Sequence, residues 1–266
     1  MPQPFEVYAL RYARHSGRRA SENFIGGDDH DGLMPLDYFV WAVTGPAGTF
    51  VIDSGFDEMA ARARRRDFIR CPGQGLRSIG IEPALVRDVI VTHMHYDHIG
   101  NAELFPQATY HVQDAEMQYC TGRCMCDRVV SDVYDVETVT AMVRKVYNRR
   151  VQFHDGEAEL APGLSVHKVG GHTRGLQVVR VFTRRGWLVL ASDASHLYAN
   201  MQQARPFPVV DSVPDMLQGY RTLRRLADSA DHIIPGHDPL VVSQYPSPRA
   251  ELAGAVVRLD VDPITP

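Results

Sequence analysis

The chain has 266 residues, 44% of them hydrophobic and 23% charged, with a formal net charge of -4. That size and balance fit a globular enzyme with one well-buried α/β core, and the acidic balance argues against nucleic acid or an anionic membrane as a partner. The first six residues lack the basic start and apolar core of a secretory signal, and no stretch reaches the length of a membrane span, so a cytoplasmic protein is expected.

Residues 38–43 and 49–53 read as two strands joined by the turn Gly45-Pro46-Ala47-Gly48. Residues 57–68 have helical charge density, with the basic run 62–66 as a solvated face, and Pro72-Gly73-Gln74-Gly75 breaks that helix. Residues 76–81 and 83–86 lead into a strand at 88–92. A helix start follows at 101–105 and a short strand at 109–112.

Residues 113–150 are helical by pattern and lie between two strand-rich halves, which suits either a lid over a pocket or a plain packing helix pair. Cys120, Cys124 and Cys126 fall within them at a spacing that matches no standard zinc knuckle, and they read as ordinary reduced thiols. Strands resume at 164–169, 177–183 and 187–191. Residues 215–227 form an amphipathic helix with Met216, Leu217, Tyr220, Leu223 and Leu226 on one face. A last strand, 232–234, precedes Pro235-Gly236-His237-Asp238, and the tail after Tyr245 reads as a surface wrap. This alternation favours a layered α/β architecture.

The most informative segment is Thr92-His93-Met94-His95-Tyr96-Asp97-His98, directly after the apolar run Val89-Ile90-Val91. Imidazole and carboxylate suit zinc and its first-row neighbours, whereas a structural zinc site is usually closed by cysteines. Three more candidates also follow apolar strand runs: His172 in Gly170-Gly171-His172-Thr173, Asp193 in Ala191-Ser192-Asp193-Ala194, and His237 after Pro235-Gly236. Side chains at the same ends of neighbouring strands converge on one rim, where α/β sheets bind ligands. The set holds five histidines and two aspartates, enough donors for two ions with a position left for water.

This order and context resemble the metallo-β-lactamase superfamily over roughly residues 38–238. The resemblance implies a four-layer αββα sandwich with two mixed β-sheets, one domain over 1–266, and 113–150 as a helical lid or insertion. It implies that His93, His95 and His172 hold a first ion, that Asp97, His98 and His237 hold a second, and that Asp193 bridges them. Asp53, in Ile52-Asp53-Ser54-Gly55, matches the superfamily's early Asp, which orients the histidine loop. Zinc is the default metal, while iron, manganese or cobalt suit the same donors.

Within the superfamily the short tail after His237 and the long segment between His98 and His172 resemble the N-acyl-homoserine lactonase branch. The implied reaction is opening of a lactone ring by a metal-bound hydroxide, with Asp97 passing a proton to the leaving oxygen. That branch places a Tyr three residues after the bridging Asp; here His196 stands there, with Tyr198 nearby, and His196 is the candidate to steady the oxyanion. The departure opens the substrate to other small lactones. A thioesterase or cyclic-amide hydrolase on the same metals, and a non-catalytic metal-binding relative, are the alternatives. Arg174 and Arg205 are weighed as partners of a substrate carboxylate against plain surface roles, with the surface roles favoured. His111, His154, His167 and His232 fit no ligand position. His15 and His30 suit a pocket wall or a dimer contact, and a homodimer is compatible with the sequence.

Overall fold

The computed structural model describes residues 2–264. Seven strands come first: β1 (Glu6–His15), β2 (Leu36–Gly45), β3 (Gly48–Ile52), β4 (Asp67–Phe68), β5 (Asp88–Ile90), β6 (Thr109–Gln113) and β7 (Val151–His154). Five more form a second sheet: β8 (Glu157–Ala161), β9 (Leu164–Lys168), β10 (Gln177–Thr183), β11 (Gly186–Ser192) and β12 (Ile233–Pro235). The tail then returns as β13 (Val256–Arg258) to the first sheet, beside β1.

Both sheets are mixed. In the order β13-β1-β2-β3-β5-β6-β7 the first four strands pair antiparallel and the rest parallel, with β4 added to β1. In β12-β11-β10-β9-β8 only the β12–β11 pair is parallel.

Alternation along the strands sorts the apolar residues into layers, because successive side chains leave a strand on opposite faces. On β2, Phe39, Trp41 and Val43 face one way and meet Leu164, Val166, Val179, Val181, Leu188 and Leu190 of the second sheet. Tyr38, Val40 and Ala42 face the other way and pack with Ala61, Leu76, Met117, Val139 and Met142 from helices. On the far side of the second sheet, Val178, Val189, Ala191 and Ile233 meet Met216, Tyr220, Leu223 and Leu226. Helix, sheet, sheet, helix is the resulting stack, the sandwich expected from the sequence.

The helix supplying that last layer spans Val213–Leu226, capped by the Ser212 hydroxyl, which accepts from the Asp215 N–H at 3.3 Å, with Pro214 in its first turn. Its buried residues recur at helical spacing, while Leu217 is only partly buried.

Several expectations are corrected. The helix expected at 57–68 closes after Glu58–Ala63, since 67–68 is drawn into β4 against β1. Pro72, expected to break that helix, instead starts a new one, Pro72–Ser78. The segment at 101–105 is a single 3-10 turn, Ala102–Leu104. The tail after Tyr245 is more than a wrap, because β13 closes the edge of the first sheet. No helix among the described residues is long and apolar enough to cross a membrane.

Candidate metal centre

The four strand ends picked out in the sequence do converge. His93 follows β5, His172 follows β9, Asp193 follows β11 and His237 follows β12. Backbone crowding at this rim explains two of the glycines. Gly171 has a φ of 91°, and a Cβ there would lie 2.6 Å from the Met216 nitrogen. At Gly236 a Cβ would lie 2.7 Å from the Ser192 carbonyl carbon and 2.8 Å from Asp193 Oδ1, so the β12 turn passes the site only without a side chain.

Two donor groups share one carboxylate. His172 Nε2 lies 3.2 Å from His93 Nε2, 3.0 Å from His95 Nδ1 and 3.2 Å from Asp193 Oδ2. Asp193 Oδ1 lies 3.4 Å from His98 Nε2 and 3.0 Å from His237 Nε2. Asp97 Oδ2 is 3.6 Å from His98 Nε2 and 3.8 Å from His237 Nε2. Nitrogens at about 2.0–2.1 Å from a tetrahedral zinc sit about 3.3 Å apart, so these spacings suit donors around a small cation.

The far side of three of the rings is anchored. His172 Nδ1 donates to the Val209 carbonyl at 2.6 Å, His237 Nδ1 to the Asp37 carbonyl at 2.9 Å, and His98 Nδ1 to Asp53 Oδ2 at 2.7 Å. A proton held at Nδ1 leaves the Nε2 lone pair facing the site, the form a metal requires. Asp53, whose φ is 63°, also accepts from the Thr92 N–H and hydroxyl, each at 2.8 Å. That carboxylate therefore fixes both the start of the histidine loop and one of its rings.

The electrostatics divide the rings into two sets. Burial, then neighbouring imidazoles, hold His93 and His95 well below the ordinary imidazole range, and burial lowers His172 too. Burial works against charge on His98 and His237, yet the surrounding carboxylates, Asp193 foremost, raise both. At Asp193 burial is overcome by His237, His196 and His98, which hold its carboxyl well down. His98 Nε2 and Asp193 Oδ1 are buried without a hydrogen-bond partner among the described residues. Buried polar atoms left unpaired are costly, and a cation between them relieves both. The residues present thus fit a pair of divalent cations. Among the described residues, four overlapping groups could hold an ion: His93/His95/His172, His93/His98/Asp193, Asp97/His98/His237 and His172/Asp193/His196.

His196 sits where its spacing from Asp193 put it, buried flat against Phe207, with ring centroids 3.3 Å apart and planes 7° apart. Burial lowers its pKa to about 3, so the ring is neutral and its Nε2 proton points at Asp193 Oδ2, 2.8 Å away. Tyr198 does not line the cleft, whereas Tyr38 and Tyr96 do. Arg174 pairs with Asp211 at 3.2 Å, and Arg205 donates to the Gly27 carbonyl at 2.7 Å, so neither faces the centre. Of the two N-terminal histidines, His15 lies 3.4 Å from the cleft residue Arg66 and His30 is exposed. Cys120, Cys124 and Cys126 are free thiols, the first buried against its own helix.

Sequence reasoning missed Glu116. Fully buried, it accepts from the Met94 N–H at 2.8 Å, the Thr173 hydroxyl at 2.6 Å and the Gly175 N–H at 3.1 Å. One carboxylate thereby ties the loop of His93 and His95 to the loop of His172. No spacing or motif marks it, because its partners come from two distant segments.

Comparison with known proteins agrees with this architecture. The N-acyl homoserine lactonase AttM of Azorhizobium caulinodans is 28% identical over 239 residues, covering 80% of this chain and 85% of its own. AttM of Agrobacterium fabrum is 26% identical over 238 residues, with the same coverage. Among solved structures, a quorum-quenching N-acyl homoserine lactone lactonase superposes with a TM-score of 0.73 at 21% identity, over 90% of this chain and 94% of that one. A probable metal-dependent hydrolase from Staphylococcus aureus superposes with a TM-score of 0.74 at 14% identity, over 100% and 97%. The family model described as the metallo-beta-lactamase superfamily matches residues 33–244, which takes in β2 to β12 and every candidate ligand, and the chain belongs to that superfamily.

Proposed function

We propose that this chain is a binuclear metal-dependent hydrolase that opens lactone rings, a single domain in which residues 113–150 form one wall of the cleft. The observation that carries the reading is the division of Asp193, with Oδ2 toward His93 and His172 and Oδ1 toward His98 and His237. Relatives covering most of the chain bear the name N-acyl homoserine lactonase, and a structural neighbour is described as a dizinc quorum-quenching lactonase. Zinc is accordingly the metal we assign.

His93, His95 and His172 would hold one ion, and Asp97, His98 and His237 the other, with Asp193 spanning the two. When bound, such ions polarise an ester carbonyl and lower the pKa of a water. The residues then divide the remaining work. Asp97 faces the cleft with its side chain 12% exposed and is placed to hand a proton to the ring oxygen as it leaves. His196 directs its Nε2 proton at Asp193, so it first steadies that carboxylate, and it reaches an oxyanion by turning that hydrogen bond to substrate. Beside His95 and His172, Val129, Val130, Val133 and Val209 line a cavity of about 380 Å³ that suits an apolar substituent.

A pH-indicator assay over lactones, thioesters and cyclic imides, with and without chelator, tests the reading. We expect lactones to be preferred by more than about tenfold, about 1.4 kcal/mol in barrier, and turnover to stop with chelator. Equal turnover of thioesters or imides would move the assignment to those hydrolases. Fewer than about one ion per purified chain would point to a non-catalytic relative.

A further inference from the structure

The cleft lining also carries two guanidinium groups, Arg18 and Arg66, with Tyr38 and Tyr96. Arg18 donates from Nε to Asn23 Oδ1 at 2.5 Å and from Nη2 to the Glu22 carbonyl at 2.7 Å. Arg66 donates from Nε to the Tyr38 hydroxyl at 2.8 Å and from Nη1 to the Arg64 carbonyl at 2.7 Å, with His15 Nε2 at 3.4 Å. All these partners are neutral. His15 itself is pushed down to about 4, by burial and then by the charges of Arg66 and Arg18, so it carries no charge at neutral pH.

Among the described residues no carboxylate forms an ion pair with either arginine, in contrast to Arg11 and Arg14 on Asp37 and Arg174 on Asp211. The Glu22 carboxylate is held instead by the Arg19 N–H at 2.8 Å. Burial chiefly disfavours charge on Arg18, the nearby Glu22 carboxylate offsets part of that, and Arg66 adds to it. Two like charges facing one half-buried cleft repel each other and lose hydration, and an anion between them offsets both costs. Guanidinium groups suit a carboxylate in particular, which they bind in a fork with two parallel hydrogen bonds.

Resting on the lactonase reading above, we infer that the substrate is a lactone carrying a carboxylate, which seats at Arg18 and Arg66 while the ring carbonyl lies over the imidazole cluster. The charged wall then orients the ring, and its field draws the anion into the cleft.

The test compares α-hydroxyglutarate γ-lactone, which carries a ring carboxylate, with its carboxamide, each rate normalised to hydroxide-catalysed opening. The zinc-loaded wild type is expected to favour the acid by at least about tenfold in kcat/KM, mostly through KM, with the preference shrinking at high salt. Arg18→Gln and Arg66→Gln, made separately, should each bring the preference to within about threefold, while Arg66→Lys keeps part of it. A wild type that opens the carboxamide as readily as the acid overturns the inference and leaves the lactonase reading standing. If neither lactone is opened, the lactonase reading fails, and binding decides the inference. Calorimetry should then show α-hydroxyglutarate binding about tenfold more tightly than γ-hydroxybutyrate, a difference lost in both Gln variants, and equal binding overturns it.

Discussion

Asp53 Oδ2 accepts the Nδ1 proton of His98 at 2.7 Å while the same carboxylate takes both donors of Thr92. An aspartate on one strand end thus sets the tautomer of a ring on the next. Partners of this kind typically carry about 10–100-fold in metal affinity. Asp53→Asn should therefore lower the affinity for one of two zinc ions by about that factor, with a comparable loss of kcat/KM. Competitive titration with a chromogenic chelator measures it, and two ions held at wild-type affinity would remove Asp53 from this role.

Asp193→Asn attacks the shared carboxylate itself. An amide has one weakly donating oxygen and a nitrogen that cannot face a cation, so both donor groups lose a partner. We expect metal content to fall below about two per chain and turnover to fall by at least about a hundredfold. Elemental analysis alongside lactone assays checks it; full metal content with near-normal turnover contradicts the bridge.

Glu116→Ala leaves the Met94 N–H, the Thr173 hydroxyl and the Gly175 N–H buried without their acceptor. At about 1–3 kcal/mol for an unsatisfied buried group, and with partial relaxation, a loss of about 3–5 kcal/mol is expected in denaturant unfolding. Glu116→Gln keeps one acceptor oxygen and should cost less. A change below about 1 kcal/mol in the alanine variant would mean the two loops are held by other contacts.

His15 gives a stability signature. Its pKa is about 4 in the folded chain against 6.5 for an ordinary imidazole, so between those limits the unfolded state binds more protons. Its contribution is whole above the unfolded value and is lost as pH falls toward the folded one. His15→Asn should therefore flatten the stability profile across that acid window relative to wild type while leaving the two curves parallel at higher pH. Unfolding midpoints across a pH series, with metals removed from both proteins, make the comparison. Identical slopes throughout would contradict it.

Chelation should lower the unfolding temperature by more than any one of these substitutions. A ligand at about a thousand times its Kd adds about 4 kcal/mol, and two ions act together. Thermal scans before and after dialysis against chelator test this. An unchanged midpoint would mean the cluster is stable without cations.

Where apolar runs are continuous, strands are legible in the sequence: Val89-Ile90-Val91 ahead of His93, Leu188 to Ala191 ahead of Asp193. β1 escaped that reading although it spans Glu6–His15, because a register shift between Arg11 and Ala13 interrupts its alternation and charged Arg11 and Arg14 sit within it. Both arginines are accommodated by Asp37 on β2, a partner visible only once the strands pair. β13 was hidden for a similar reason, being three residues whose pairing partner lies at the other end of the chain.

The sequence by itself determined the inventory: the donor types, their order, and their places just beyond apolar strands, all of which follow from local periodicity and side-chain chemistry. Tertiary structure alone decided how the two oxygens of Asp193 are shared, that Glu116 clamps two loops, and that the arginines on the cleft wall are Arg18 and Arg66 rather than Arg174 and Arg205. These relationships join residues far apart in the chain, His172 to His95 across 77 positions and His237 to Asp37 across 200. Such distances close only when the two sheets pack face to face, and no local pattern encodes that packing.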